Sequence, residues 1–144
     1  MGFDEDRGAA HSIRPACLED ACALSALSIE VWLHTYCRPA IPRIFAAYAL
    51  EAFGEAAIRD RINDPHHHLL VEWVDYAGES ALRGYLAWSD TSSPPLPDCP
   101  TCEIVTLYVR ERHKGLGIGS ALLEASYQAM REAGHVATYL TPNS

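Results

Sequence analysis

Three glycines at alternate positions, in KGLGIGS at residues 114–120, stand between the apolar run CEIVTLYV and the helix-like stretch ALLEASYQAM. No other stretch narrows the possible folds as much. A glycine inside a helix costs roughly 1 kcal/mol relative to alanine, so three of them on the threshold of one imply backbone that something else must approach. The first N–H groups of a helix lack internal partners and carry the positive end of its dipole, which suits them to anions. Gly115, Gly117 and Gly119 clear one flank of such a turn, while Leu116 and Ile118 point inward to pack the helix onto a sheet. The implied ligand is a phosphate or pyrophosphate. Two familiar phosphate loops fail on spacing. GLGIGS brings its third glycine one residue too early for GxGxxG, and Lys114, the only lysine in the chain, precedes the glycines instead of following them as in a P-loop.

The surrounding periodicities predict what this junction belongs to. SIRP at 12–15 reads as a short strand stopped by Pro15, and CLEDACALSALSIEVWLHTY carries Leu24, Leu27, Val31 and Trp32 at helical spacing. IPRIFAAYALEAFGEAAI repeats the pattern with Ile44, Tyr48, Leu50 and Phe53, as one helix or a bent pair, with Gly54 leaving its end open. HLLVEWV and ALRGYLAWS form an antiparallel hairpin around AGES with a loop of several residues. DTSSPPLPDCPT is a proline-rich surface loop. After CEIVTLYV and the glycines, Ile118, Leu122, Ala125 and Ala129 make one apolar helix face, and VATYL starts a further strand. The order strand, two helices, three strands, helix, strand specifies an α/β class with a mixed sheet and helices on its faces. Residues 1–11 form a loose tail and residues 12–144 a single domain.

Composition narrows the partners. A net charge of −8 argues against nucleic acid, whose affinity comes from clustered Lys and Arg, and suits a basic or amine-bearing partner. No apolar run approaches the roughly 20 residues that span a bilayer, and MGFDEDRGAAH lacks the apolar core of a signal peptide. Five cysteines, an odd number, do not make a secreted disulfide framework. These features point to a reduced, cytoplasmic setting.

The segment from Glu103 to Leu123 resembles the acyl-CoA binding motif of the GCN5-related N-acetyltransferases. That pattern is Gln or Arg, two residues, Gly, one residue, then Gly or Ala, directly after a strand. Lys114, Gly117 and Gly119 fill those places, and the upstream elements follow the family's order from about residue 12. The resemblance implies that the N–H groups of Gly115, Leu116, Gly117, Ile118, Gly119 and Ser120 hold the pyrophosphate of acetyl-CoA. It implies too that Leu107, Tyr108 and Val109 pair with the pantetheine amides, and that Lys114 contributes positive charge without the planar fork of Arg. It further implies an oxyanion donor at the main-chain N–H near Val109, where this strand commonly bulges. The family's last helix and strand pair, with its Asn and Tyr, have no counterpart before the sequence stops at YLTPNS. A chain without them would expose a sheet edge and an apolar helix face, which favours a homodimer.

Acetyl transfer to an amine needs a neutral amine, a stabilised oxyanion and a proton for the departing thiolate. Strand period puts Glu103, Val105, Leu107 and Val109 on one face, so Glu103 lies on the line to the thioester as the catalytic proton acceptor. Glu30, His34 and Tyr36, at the end of the first long helix, would line the amine site. SIEVWLHTY also looks like the matching stretch of bacterial polyamine acetyltransferases, so a polyamine, another small amine or a protein amine is the expected acceptor. The alternative is a catalytically silent acyl-CoA-binding protein left by truncation. The remaining clusters carry no metal site. Cys99–Cys102 is a lone CxxC without a second ligand pair, and His66, His67 and His68, being consecutive, diverge.

Overall fold

The computed structural model describes residues 11–90, 102–134 and 138–140. The tail before residue 11, the proline-rich stretch 91–101 with Cys99, the start of VATYL and the TPNS end lie outside them. Five strands form one sheet in sequence order: β1 (Ser12–Pro15), β2 (His67–Tyr76), β3 (Glu79–Ser89), β4 (Cys102–Val109) and β5 (Thr138–Leu140). The first four pair antiparallel, and β5 joins β4 in parallel. Helices α1 (Ala21–Tyr36), α2 (Arg43–Ala52) and α3 (Glu55–Asn63) lie between β1 and β2 in sequence, and α4 (Ile118–Glu132) lies between β4 and β5. The parallel pair takes a helical crossover because parallel neighbours cannot be joined by a tight turn.

The alternation of β2 to β4 sorts side chains into two cores. Leu69, Val71, Tyr85 and Ala87 meet Leu24 and Leu27 of α1 and Ile58 of α3 on one face. Leu86, Trp88, Cys102 and Ile104 meet Ile118, Leu122 and Met130 of α4 on the other. Each large apolar side chain fully removed from water contributes about 1.5–3 kcal/mol. Helix α4 buries Ile118, Leu122, Ser126 and Met130, one row four residues apart. Ala125 and Ala129, expected on that face, sit at its half-buried margin. Inside the first core, the Tyr85 and Ser28 hydroxyls bond at 2.7 Å and Ser28 donates to the Leu24 carbonyl at 2.8 Å. These two buried hydroxyls are thereby satisfied.

One expectation needs correction. The β2–β3 loop is only Ala77–Gly78, with Tyr76 paired to Glu79. Both residues have positive φ, 54° and 85°, the type I′ geometry whose twist matches a two-residue hairpin. Of the two alternatives for the stretch from Ile41 to Ile58, one helix or a bent pair, the structure has the bent pair. Its helices meet at Gly54, where a Cβ would lie 2.7 Å from the Leu50 carbonyl oxygen. The break leaves α2 against α1, with Ala49 and Phe53 buried and Ile44, Tyr48 and Leu50 exposed. The bulky side chains of α2 instead surround Trp32, whose ring lies 5.7 Å from Phe45 and 5.2 Å from Tyr48.

Candidate active site

Strand β4 does not keep a single alternation along its length. Ala87 pairs with Thr106, but Trp88 pairs with Ile104, so Val105 is an extra residue bulged out of the ladder. A bulge shifts the side-chain parity by one. Cys102 and Ile104 before it, and Leu107 and Val109 after it, all pack on the α4 face. Glu103, opposite Ser89, therefore lies on the α1 and α3 face with Thr106 and Tyr108. The expectation that Glu103 shares a face with Leu107 and Val109 fails for this reason, and the bulge expected near Val109 is found at Val105.

Among the described residues, the end of β4 leaves one edge unpaired. Val109, Tyr108 and Leu107 pair with Gly84, Tyr85 and Leu86 on one side, and β5 pairs with β4 only over Cys102–Ile104. Among the described residues nothing pairs with the other edge beyond Ile104. The Arg110 N–H donates to the Arg83 carbonyl at 2.9 Å, so strand alternation turns the N–H groups of Val109 and Leu107 away from β3, toward that open edge. Tyr108 points its backbone back to β3. Its ring packs edge-on to Tyr85 and Phe53 in the opposite core, where burial, with Tyr85 next, pushes its hydroxyl up to about 12. Its ring lies on the face opposite Leu107, as strand period requires, and its backbone is engaged with β3 instead of the edge where the pantetheine pairing was expected.

A 3-10 turn, Glu111–His113, carries the chain from β4 into the glycines. Gly115 and Gly117 have φ of 89° and 81°, a left-handed conformation that glycine adopts without penalty. Gly117 is the N-cap of α4 and no side chain caps the helix. The first helical bond runs from the Ala121 N–H to the Gly117 carbonyl at 3.0 Å. The N–H groups of Ile118, Gly119 and Ser120 precede it without a backbone acceptor among the described residues, as helix geometry requires. Ile118 is almost wholly buried, its side chain in the α4-side core.

These features surround a cavity of about 420 Å³ lined by Leu107, Val109, His113, Lys114, Gly115, Gly117, Ile118, Gly119 and Ser120. Eight of the ten expected cofactor residues line it. Leu116 packs against the α4-side core instead, and Tyr108 is on the other face. His113 is the addition that sequence reasoning missed. It is buried, and burial, followed by Arg83, Arg110 and Arg112, holds its imidazole below the usual 6.5. Its place directly before Lys114, in the turn that closes β4, is the signal that would have found it.

The expected acceptor residues separate. Glu30 and His34, one turn apart on α1, reach the end of β4 and border a notch of about 50 Å³ with Val31, Thr35, Val109, Glu111 and Lys114. Glu30 accepts from Arg110 Nε at 2.9 Å, and His34 Nε2 lies 3.3 Å from Glu111 Oε1. Tyr36 does not line the notch. It is exposed and packs on Trp32 with ring centroids 5.2 Å apart. The histidine run also differs from expectation. His66 and His68 converge on Asp90 at 3.0 and 3.1 Å, because alternate residues share a side, and only His67 diverges, to Asp64.

A family model described as Acetyltransferase (GNAT) family matches residues 31–144. No curated protein matches the chain. Solved structures share the fold. The PaiA N-acetyltransferase from Thermoplasma acidophilum, solved in complex with coenzyme A, is 19% identical with a TM-score of 0.72, covering 91% of this chain and 78% of its own. A GCN5-related N-acetyltransferase from Ralstonia eutropha JMP134 is 20% identical with a TM-score of 0.69, covering 94% and 85%. The ribosomal-protein-alanine N-acetyltransferase from Brucella melitensis biovar Abortus 2308 is 21% identical with a TM-score of 0.61, covering 92% and 80%. A glycine-opened helix beside a free strand end, within a stretch spanned by that family model, makes this chain a member of the GNAT acetyltransferase family, with acetyl-CoA as its cosubstrate.

Proposed function

We propose that this protein acetylates a primary amine by direct attack on the thioester of acetyl-CoA. One observation carries the reading. The first three residues of α4, whose N–H groups have no helical acceptor, the left-handed glycines, and Leu107 and Val109 at the end of β4 border a single cavity. Those groups fit the donor, since the amides and Lys114 suit a diphosphate and the strand edge suits the two amides of pantetheine. Acetyl-CoA supplies the activated acetyl group; the chain supplies placement and proton handling. The outward Val109 N–H is the donor for negative charge developing on the thioester oxygen. Glu103, on the face opposite the cavity, takes the proton of the incoming ammonium through water; as the C–N bond forms the C–S bond breaks, and the coenzyme A thiolate leaves with the second proton shed by the amine nitrogen. Donor and acceptor then arrive from opposite faces of β4, with Glu30 and His34 on the acceptor route and Tyr36 at its outer edge.

The acceptor in this reading is a small amine, with a polyamine favoured by the net charge of −8, or a protein amine, in the cytoplasm. The domain runs from residue 12, and neither nucleic acid nor membrane takes part. The test is calorimetric titration with coenzyme A, then thiol release from acetyl-CoA over a panel of amines. The expected result is coenzyme binding, turnover with di- and polyamines, and a loss of about 10²–10⁴-fold in kcat for Glu103→Gln with unchanged coenzyme affinity. Absence of coenzyme binding by the wild-type chain refutes the reading, and binding without turnover over the panel leaves a silent acyl-CoA-binding protein.

A further inference from the structure

The cationic groups that flank the cavity are not idle. Arg110 is engaged by Glu30, and Lys114 lies with its Nζ 3.2 Å from Glu111 Oε1. That same oxygen lies 3.3 Å from His34 Nε2, so α1 anchors the carboxylate that holds the lysine. Lys114 borders both the 420 Å³ cavity and the notch beside α1, and it stands between two claimants on its charge. We propose that Glu111 is an internal competitor for Lys114, a counter-ion that holds the ammonium away from the diphosphate position and so weakens the grip on coenzyme A. This rests on the acetyl-CoA reading above and adds a regulator to that site.

The physical basis is the exchange of one ion pair for another. With the cavity empty, Lys114 gains from Glu111; when a diphosphate occupies the α4 amides, the lysine must leave that carboxylate to reach it, and Glu111 remains nearby as a like charge to the ligand. Both effects oppose binding. Lys114 and Glu111 are each about half exposed, at 54% and 53%, so solvent screens the pair and lets it break readily. A weak, breakable latch suits an enzyme that must release coenzyme A after each turnover. Glu111 acts here through Lys114 and is a positioning residue.

Calorimetric titration of coenzyme A into wild type, Glu111→Gln, Lys114→Gln and the double variant, at low and high salt, tests this. Glu111→Gln is expected to tighten binding about three- to tenfold at low salt, the order of one exposed charge interaction, and to steepen its salt dependence. Lys114→Gln is expected to weaken binding by a similar factor. In the Lys114→Gln background, the gain from Glu111→Gln is expected to shrink to at most about half, because only direct repulsion remains. Unchanged or weaker binding by Glu111→Gln overturns the proposal, as does an undiminished gain in the double variant. Either result leaves wild-type binding intact, whereas failure of the acetyl-CoA reading shows as no binding by the wild type. Circular dichroism of each variant verifies that these exposed substitutions leave the fold in place.

Discussion

Alanine at Gly117 and alanine at Gly119 separate two uses of glycine within one helical turn. Gly117 caps α4 at φ 81°, ψ 10°, where an L side chain costs on the order of 1–2 kcal/mol. Its added Cβ would meet nothing nearer than His11 Nε2 at 3.5 Å, an ordinary contact, so backbone conformation accounts for the whole penalty. Gly119 has no positive φ, and its Cβ would approach only Leu107 Cδ2 at 4.0 Å. There alanine removes unfolded-state freedom and stabilises by about 0.4–1 kcal/mol. The two variants should differ by roughly 1.5–3 kcal/mol, or about 5–10 °C in Tm for a domain of this size. Far-UV circular dichroism melts without coenzyme read the difference. Gly117→Ala is also expected to weaken coenzyme A binding, because relief of the strain re-aims the amides of Ile118, Gly119 and Ser120. Melting temperatures within 1 °C of each other, or in the reverse order, would refute the assignment of a left-handed cap to Gly117.

Gly84 is the close approach beneath the site. A Cβ there would lie 2.9 Å from the Tyr108 carbonyl oxygen, 3.2 Å from Val109 Cγ2 and 3.3 Å from Ile118 Cγ2. Gly84→Ala should therefore cost about 1–3 kcal/mol in urea unfolding and weaken coenzyme binding, since it pushes β3 from both walls of the cavity. Asp20 accepts from Arg14 Nη1 at 2.7 Å, Arg14 Nη2 at 2.9 Å and the Cys17 N–H at 2.9 Å. The Arg14 hydrogen bonds, the largest cause, hold its carboxyl below the usual 3.8. Its stabilisation is complete above that pH and is lost as pH falls through the depressed folded value. Asp20→Asn should cost about 1–2 kcal/mol at pH 7, reduced by the partial exposure of Arg14. That gap should close in unfolding measured progressively below pH 3.8, and a gap independent of pH would contradict the pairing.

The glycine loop was legible because its physics is local. A strand that ends, left-handed residues that only glycine tolerates and a helix with bare first amides are all written within residues 103–123, and family likeness supplied the ligand. The mixed sheet followed from periodicity for the same reason: alternation by two and by 3.6 is a property of neighbouring residues. Tertiary packing decided what periodicity could not. The bulge at Val105 arises from the register between β3 and β4, so no count along β4 alone could reveal that Glu103 and Leu107 face opposite sides. The break at Gly54 turned the apolar row of α2 outward, and the return of β3 brought Asp90 between His66 and His68. His113 joined the cavity only because the turn after β4 folds it beneath the loop. Glu111, Lys114 and His34 form one charge cluster because α1, distant in sequence, packs across the end of β4. Local backbone chemistry wrote the cradle into the chain, while the sharing of charge and the choice of face depend on strands and helices that meet only when the sheet closes.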